Sequence, residues 1–142
     1  MNSAGAAMKK KTIMHLRRNR EIGGAEKYIL LVANKLDSSK YDVVVTAFGY
    51  RDNPRVALIQ RAEEQGTQSD IIRPLGRYSP FCVSDLVALL RKHQVDLLHT
   101  HDHKSTLPGI LAARWVGIPV VTTVHGIEKY VVKTKLNQSL GA

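Results

Sequence analysis

Three histidines and an aspartate fall within one short stretch of the sequence, the HTHDHK segment from His99 to Lys104. Side chains of these types could ligate a metal ion, or they could hydrogen-bond a ligand rich in hydroxyl groups. A histidine metal site draws further ligands from another element, and His125 is the one further candidate. We therefore expect no bound metal, and we predict that His101, Asp102 and Lys104 contact a substrate. The alternative is a solvated loop without a ligand.

His125 follows five largely apolar residues and precedes Gly126. A histidine at the carboxyl end of a strand is well placed to hydrogen-bond a substrate or to act as a general base. The alternative is that His125 bonds only to a neighbouring loop. We take His125 as the catalytic candidate and Gly126 as part of the same contact.

Two adjacent glycines, Gly23 and Gly24, precede a helical pattern in the segment EIGGAEKY. The first N–H groups of a helix have no intrahelical acceptor, and the helix dipole favours negative charge beside them. Glycine also lets a ligand approach the backbone closely. With Arg17, Arg18 and Arg20 in the same loop, the segment predicts a phosphate-binding cradle. The alternative is that the glycines serve only the turn and the packing of the helix on a sheet.

Two common nucleotide-binding signatures do not occur in the sequence. It contains neither the dinucleotide fingerprint G-x-G-x-x-G nor the P-loop G-x-x-x-x-G-K-[ST]. NAD binding and ATP hydrolysis are therefore disfavoured.

The elements that must position these residues follow from the hydrophobic periodicity. Apolar runs predict strands over residues 11–16, 41–49, 70–73, 95–101 and 118–126. Helical spacing predicts helices over residues 25–37, 53–66, 83–94, 105–117 and 127–142. Pro54 suits the first turn of the second helix, and Ser84 is the predicted N-cap of the third.

Strands that alternate with helices pair in parallel, so the fold class is α/β, a Rossmann-like doubly wound parallel sheet. We predict the strand order 3-2-1-4-5. Ligands of such sheets bind beyond the carboxyl ends of the strands, where the strand order reverses. The loop after the first strand, the HTHDHK segment and the end of the fifth strand should therefore meet at one edge.

The composition sets the broad class. The chain has 142 residues and a formal net charge of +9, which favours anionic partners such as phosphates or anionic lipid. We expect a loose tail over residues 1–10 and one domain over residues 11–142. One cysteine excludes an internal disulfide, and no apolar run reaches bilayer length, so we expect a cytoplasmic protein. Aromatic residues make up 6% of the chain, which disfavours nucleic acid as a partner.

A peripheral contact with an anionic membrane is also compatible with the basic charge. We predict that the third helix and the RPLGRY loop present cations to lipid. The residues concerned are Arg73, Arg77, Arg91 and Lys92.

Three linked segments resemble the amino-terminal domain of family 4 glycosyltransferases, which have the GT-B fold. They are G-G-A-E after the first strand, D-x-x-H-T-H before a helix of small residues, and a strand that closes in V-H-G. The resemblance extends from about Thr12 to the end of the chain.

The resemblance implies retaining, metal-independent transfer of a hexose from a nucleotide-sugar to a glycan or lipid-linked acceptor, as in cell-envelope polysaccharide or lipopolysaccharide biosynthesis. It maps Gly23 and Gly24 to the donor diphosphate or the transferred sugar, and His125 to the neighbourhood of the reacting sugar. It matches His101 and Lys104 to a loop on the acceptor side, which this domain mainly serves.

The carboxyl-terminal domain of that family, which carries an E-x(7)-E motif and grips the nucleotide, has no counterpart in the 142 residues. We therefore expect a truncated chain that is inactive or nearly so by itself. The alternative function is a non-catalytic module that assembles with a separate chain or with an anionic membrane surface.

Overall fold

The computed structural model describes residues 9–73 and 81–125, which form nine elements in strict alternation of strand and helix. The strands are β1 (Lys11–Arg17), β2 (Tyr41–Phe48), β3 (Gln68–Ile72), β4 (Leu97–Thr100) and β5 (Val120–Thr122). The helices are α1 (Gly24–Lys35), α2 (Ala57–Glu64), α3 (Phe81–Lys92) and α4 (His103–Val116).

All five strands pair in parallel, in the order β3-β2-β1-β4-β5. The predicted fold class and strand order are confirmed. The order reverses between β1 and β4, whose register pairs His15 with His99 and Leu16 with Thr100. Because paired residues of parallel neighbours point to the same face, His15 and His99 lie side by side on the sheet.

Strand alternation divides the apolar side chains between the two faces of the sheet. Met14, Leu16 and Leu98 pack with α3 and α4 on one face. Val45 and Ala47 pack with α1 and α2 on the other. His15 and His99 belong to this second face by parity, in a position where an apolar core residue would be expected.

Two predicted helix starts are wrong. Ser84 is not an N-cap, since α3 already begins at Phe81. Pro54 lies before α2, whose N-cap is Val56. In both cases the signal is local and ambiguous, because turn residues also occur one turn inside or outside a helix.

Close packing of α4 on the sheet depends on Gly109. A Cβ atom there would lie 2.6 Å from Thr100 Cγ2. Gly117 then ends the helix in the left-handed conformation at φ 87°, where it serves as the C-terminal cap.

The fifth strand is shorter than predicted. It covers three residues because its partner β4 has only four, although Thr123 N–H still donates to Thr100 O at 2.9 Å. The helix predicted over residues 127–142 and the site candidate Gly126 lie outside the described residues. Among the helices described, none is long and apolar enough to cross a bilayer.

Candidate functional site

The candidate site lies at the carboxyl ends of β1 and β4, where the chain leaves the sheet on both sides of the strand-order reversal. His101 N–H donates to Leu16 O at 3.1 Å, so the two chain exits are hydrogen-bonded to each other. Arg17 Nη1 donates to His101 O at 2.9 Å. The topology therefore joins the glycine loop and the HTHDHK segment, as predicted.

Glu26 is the centre of the hydrogen bonds on the glycine side. It is 1% exposed, and Oε1 accepts from Arg17 Nε at 2.6 Å and from Asn19 Nδ2 at 3.1 Å. Its Oε2 accepts from Gly23 N–H at 2.9 Å. Burial alone would raise the pKa of Glu26, but these hydrogen bonds outweigh it and hold the pKa below its ordinary value. Glu26 is therefore an ionised anchor that fixes the loop to β1.

Neither glycine of the pair is required by the backbone. Gly23 has φ −124°, which any residue adopts, and Gly24 is not among the described glycines with positive φ. A Cβ on Gly24 would meet nothing within 4 Å, whereas one on Gly23 would lie 3.3 Å from Glu26 Oε2. The open space at Gly24 exposes the first turn of α1, whose Gly24 and Ala25 N–H groups have no acceptor among the described residues.

Asp102 caps α4 and does not point freely into the edge. Its Oδ1 accepts from Ser105 N–H at 2.7 Å, and its Oδ2 accepts from Arg18 N–H at 2.9 Å. Arg17 Nη1 is 3.4 Å from the same Oδ2. The structure thus gives Asp102 the role of a cap and a tie between the two loops.

Of the three predicted cradle arginines, Arg17 binds Glu26, which also accepts from Gly23 N–H, whereas Arg18 and Arg20 contact other side chains. The Arg18 guanidinium lies over the Phe48 ring at 5.3 Å. Arg20 pairs with Asp52 at 2.7 Å and lies over the Tyr50 ring at 4.2 Å. Both guanidinium groups are held beside the carboxyl end of β2, so they do not form the predicted cradle with Gly23 and Gly24 in this structure.

Three histidines form a continuous hydrogen-bonded chain. His15 Nδ1 lies 2.7 Å from His101 Nε2, and His101 Nδ1 lies 3.1 Å from His125 Nε2. His101 lies in the loop directly after β4 and is fully buried there. His125 is half-buried at the outer end of the chain, and the Tyr28 ring lies 5.8 Å away.

His99 completes the cluster by stacking on the middle ring. Its ring centroid is 4.0 Å from that of His101, with an angle of 25° between the planes. His99 Nε2 bonds to Thr123 Oγ1 at 2.7 Å. Because His15 stands beside them, nitrogen atoms of His15, His99 and His101 lie within 4.8 Å of one another, so these residues could hold a metal by distance alone.

The orientation of the rings argues against a preformed metal centre. An imidazole ligates in its own plane, and the nearly parallel planes of His99 and His101 aim their lone pairs past each other. The nitrogen pair between His15 and His101 is already used in a hydrogen bond.

Burial keeps the whole cluster neutral. It lowers the pKa of His15 to about 4, helped by His99, and the pKa of His101 to about 2, helped by the neighbouring histidines and Arg17. Burial also lowers the pKa values of His99 and His125. Neutral imidazoles each carry one proton, so they can bond in series.

Lys104 is exposed in the first turn of α4. No acceptor for its ammonium group occurs among the described residues, so Lys104 remains available to an anionic ligand at the edge. Of the four cations predicted to face a membrane, Arg77 lies outside the described residues and the other three do not share one patch. Arg73 follows the carboxyl end of β3, whereas Arg91 and Lys92 end α3 at the opposite end of the sheet.

A groove of about 420 Å³ lies at that opposite end, lined by Lys9, Lys10 and Lys92 among others. Two of these cations pair with Asp42 and Asp70. We place the site at the reversal of strand order, because that edge holds the convergent polar groups.

His15 is not among the predicted site residues, and Arg17, predicted as part of the phosphate cradle, instead forms an ion pair with Glu26. His15 could have been found from its position two residues before the end of β1, which is the strand that borders the predicted reversal. The ion pair of Arg17 with Glu26 carried no such signal, since it depends on how α1 is placed against the sheet.

Comparison with known proteins gives matches along most of the chain. A family model described as Glycosyltransferase Family 4 matches residues 22–140. The UDP-Gal:alpha-D-GlcNAc-diphosphoundecaprenol alpha-1,3-galactosyltransferase of Escherichia coli is 45% identical over 51 residues, which are 35% of this chain and 13% of that protein.

Solved structures agree in fold. A glycosyltransferase from Rickettsia africae superimposes with a TM-score of 0.64 at 18% identity, covering 80% of this chain and 29% of its own. HepE of Anabaena, solved in complex with UDP, gives a TM-score of 0.61 at 20% identity, covering 78% and 28%. The chain thus spans about a third or less of the length of these proteins.

Proposed function

Since this chain belongs to glycosyltransferase family 4, we propose that it forms the acceptor-side domain of an enzyme that transfers a hexose from a nucleotide-sugar to a glycan or lipid-linked acceptor. The observation that carries the proposal is the open N-terminus of α1. Gly24 leaves unpaired N–H groups and free space at the edge of the sheet where ligands of this fold bind.

The donor contact is assigned to the first turn of α1. Its N–H groups and the positive end of the helix dipole suit the diphosphate of a nucleotide-sugar. Glu26 turns its charge inward to Arg17, so it does not repel that diphosphate from the front of the loop. Lys104, in the first turn of α4, supplies a cation that has no acidic partner among the described residues.

His125 is assigned to the transferred sugar. It is half-buried at the outer end of the histidine chain, where Nε2 bonds to His101 and Nδ1 has no partner among the residues that the structure describes. We propose that transfer is retaining and needs no metal, with hydrogen bonds and the helix dipole stabilising the diphosphate that leaves.

The described edge supplies one wall of such a site, and a second domain must supply the other. We propose that the 142 residues alone transfer little or no sugar and that the nucleotide is held mainly by that second domain. The solved structures named above support this view, because this chain covers only 29% and 28% of their length.

The function can be tested by mixing this chain with a separately expressed carboxyl-terminal domain of the Escherichia coli relative. We expect transfer from UDP-galactose to a GlcNAc-diphosphate lipid only in the mixture. Gly24→Val should lower the rate by about tenfold or more, since its side chain would occupy the diphosphate position. Leu31→Ala, an exposed position on the same helix, is the matched control.

Two results would contradict the proposal. Transfer by the 142-residue chain alone would show that no second domain is needed. Equal transfer rates for Gly24→Val and wild type would contradict the proposed contact between the donor and the first turn of α1. A mixture that forms a stable complex but transfers nothing would favour the alternative, a non-catalytic interaction module.

A specific observation also favours contact with a membrane surface, at a different place from the one predicted. Leu107, Leu111 and Trp115 are exposed at successive turns of α4 and are 65%, 49% and 75% exposed. At 100° per residue, Lys104 and Arg114 lie on the same side of the helix. Apolar side chains flanked by cations are the pattern of a helix that lies in an anionic lipid surface.

Sedimentation with phosphatidylglycerol vesicles at low salt tests this surface. The double variant Leu111→Ala/Trp115→Ala should bind several-fold more weakly, because it removes apolar area that would enter the lipid interface. Leu31→Ala, equally apolar and exposed but on α1, should bind like wild type. Vesicle binding that is absent in wild type, or unchanged in the double variant, would rule out this contact.

A further inference from the structure

The three bonded histidines are arranged in line. The ring centroids of His15 and His101 are 5.0 Å apart, and those of His101 and His125 are 5.3 Å apart. Each separation exceeds the corresponding N···N distance by about the width of one ring. The rings are therefore joined edge to edge, and each hydrogen bond lies close to the line between ring centres.

Three neutral rings in this chain can make both hydrogen bonds in only two proton arrangements. In the first, each ring donates outward, from His15 Nδ1–H to His101 Nε2 and from His101 Nδ1–H to His125 Nε2. In the second, every donor and acceptor is reversed. The middle ring cannot mix the two, because it holds one proton and must donate on one side and accept on the other.

The buried end of the chain distinguishes the two arrangements. His15 is 2% exposed, and its Nε2 has no hydrogen-bond partner within residues 9–73 and 81–125. In the outward arrangement this atom is a bare lone pair, and in the reversed arrangement it is an N–H without an acceptor. Orphaned N–H groups are the rarer and less tolerated of the two in protein interiors. The outward arrangement is therefore favoured.

The position of the proton on His125, at the outer end of the chain, then follows. In the outward arrangement the Nε2 of His125 accepts from His101, so the single proton of His125 resides on Nδ1. The face of His125 that remains for a ligand is an N–H donor. In the reversed arrangement that same atom would be a lone pair and could act as a base.

We propose that His15 and His101 are positioning residues that hold His125 in the Nδ1–H tautomer, so that it presents a hydrogen-bond donor to the ligand and is not a general base. The tautomer itself does not depend on the proposed function. The identity of the ligand oxygen that accepts from Nδ1–H does rest on it, and a sugar hydroxyl or a phosphate oxygen both fit.

Nitrogen-15 NMR of the imidazole rings in the wild-type 142-residue chain tests the tautomer directly, because protonated and bare ring nitrogens resonate far apart. We expect His125 Nδ1 and His101 Nδ1 to be protonated and both Nε2 atoms to be bare. A bare Nδ1 on His125, or a mixture of tautomers in wild type, would overturn the proposal.

Variants at His15 test the relay. His15→Leu removes the inner donor while keeping an apolar side chain in the core, so His125 should become a mixture of tautomers. His15→Asn restores a donor at the place of Nδ1 and should restore the single tautomer. His93→Gln, a histidine at the far end of the sheet, is the control and should leave His125 unchanged. An unaltered His125 in folded His15→Leu would contradict the relay.

A kinetic readout separates this inference from the proposed function. In the mixture with a carboxyl-terminal domain, His15→Leu should raise KM for the donor or lower kcat several-fold, with recovery in His15→Asn. A fixed tautomer together with no transfer by any variant would overturn the proposed function alone. Full activity in His15→Leu, with a disordered His125 tautomer, would show that the relay does not serve transfer.

Discussion

Arg17, the last residue of β1, donates from Nε to Glu26 Oε1 in the first turn of α1 at 2.6 Å. The pair ties the first turn of α1 to the sheet, and the second guanidinium arm of Arg17 ties the exit of β4 to the same point. One buried ion pair thus positions both loops of the candidate site.

Glu26→Gln should lower the free energy of unfolding by about 1–3 kcal/mol, because Arg17 loses its shorter ion pair and retains only Asp102 Oδ2 at 3.4 Å. Urea denaturation measures the loss. Glu63→Gln removes an exposed carboxylate that pairs with Arg55, and it should change the stability by less than about 0.5 kcal/mol. Similar losses at the two sites would contradict the anchoring role of Glu26.

Gly24→Ala should leave the fold intact or stabilise it by up to about 1 kcal/mol, since alanine favours the helix and its Cβ meets open space. Gly109→Ala should instead lower the stability by about 1–3 kcal/mol, because its Cβ would overlap Thr100. Thermal unfolding of both variants makes the comparison. A destabilised Gly24→Ala would mean that the glycine serves the fold and not a ligand.

Asp102→Ala should lower the stability by about 1–2 kcal/mol, because α4 loses its N-cap and Arg18 N–H loses its acceptor. Asp102→Asn keeps a capping oxygen and should retain most of that stability. Chemical denaturation of the two variants decides the point. If asparagine were as damaging as alanine, the charge opposite Arg17 would matter more than the cap.

The stability should fall as the pH is lowered from about 6.5 toward 4. His15 has a pKa of about 4 in the folded chain, below its value of about 6.5 when unfolded, so the unfolded state binds the proton first. Neutral His15 makes its full contribution to the free energy of unfolding above pH 6.5. This contribution falls as the pH is lowered from 6.5 to 4, by roughly 2–3 kcal/mol at most.

His15→Leu should make this pH dependence shallower without abolishing it, because the lowered pKa of His101 acts in the same direction; urea denaturation between pH 7 and pH 4.5 follows the change. Gly24→Ala is the control and should keep the wild-type slope. A slope in His15→Leu as steep as in wild type would show that other groups cause the loss.

The sequence could predict the path of the chain because its signals are local. Apolar runs predicted the strands, and apolar residues at helical spacing predicted the helices. Because crossover connections between parallel strands are right-handed, few strand orders were possible, and the predicted order β3-β2-β1-β4-β5 is the one observed. The convergence of EIGGAEKY with HTHDHK followed from that order. Element ends were less certain, as Ser84 and Pro54 show.

The directions of side chains could not be predicted in the same way. Arg18 and Arg20 follow the right strand, yet Phe48 and Asp52 hold them elsewhere. His101 looked like a loop residue and is fully buried, because the loop after β4 turns inward over His15.

The sequence by itself determined the α/β class, the order of the strands and the edge at which ligands would meet the chain, since hydrophobic periodicity and topology decide these. Only the tertiary structure decided which side chains share that edge. Hydrogen bonds such as those from His15 to His101 and from Arg17 to Glu26 depend on strand register and on helix placement to within about an ångström, and neither is written in the spacing of residues along the chain.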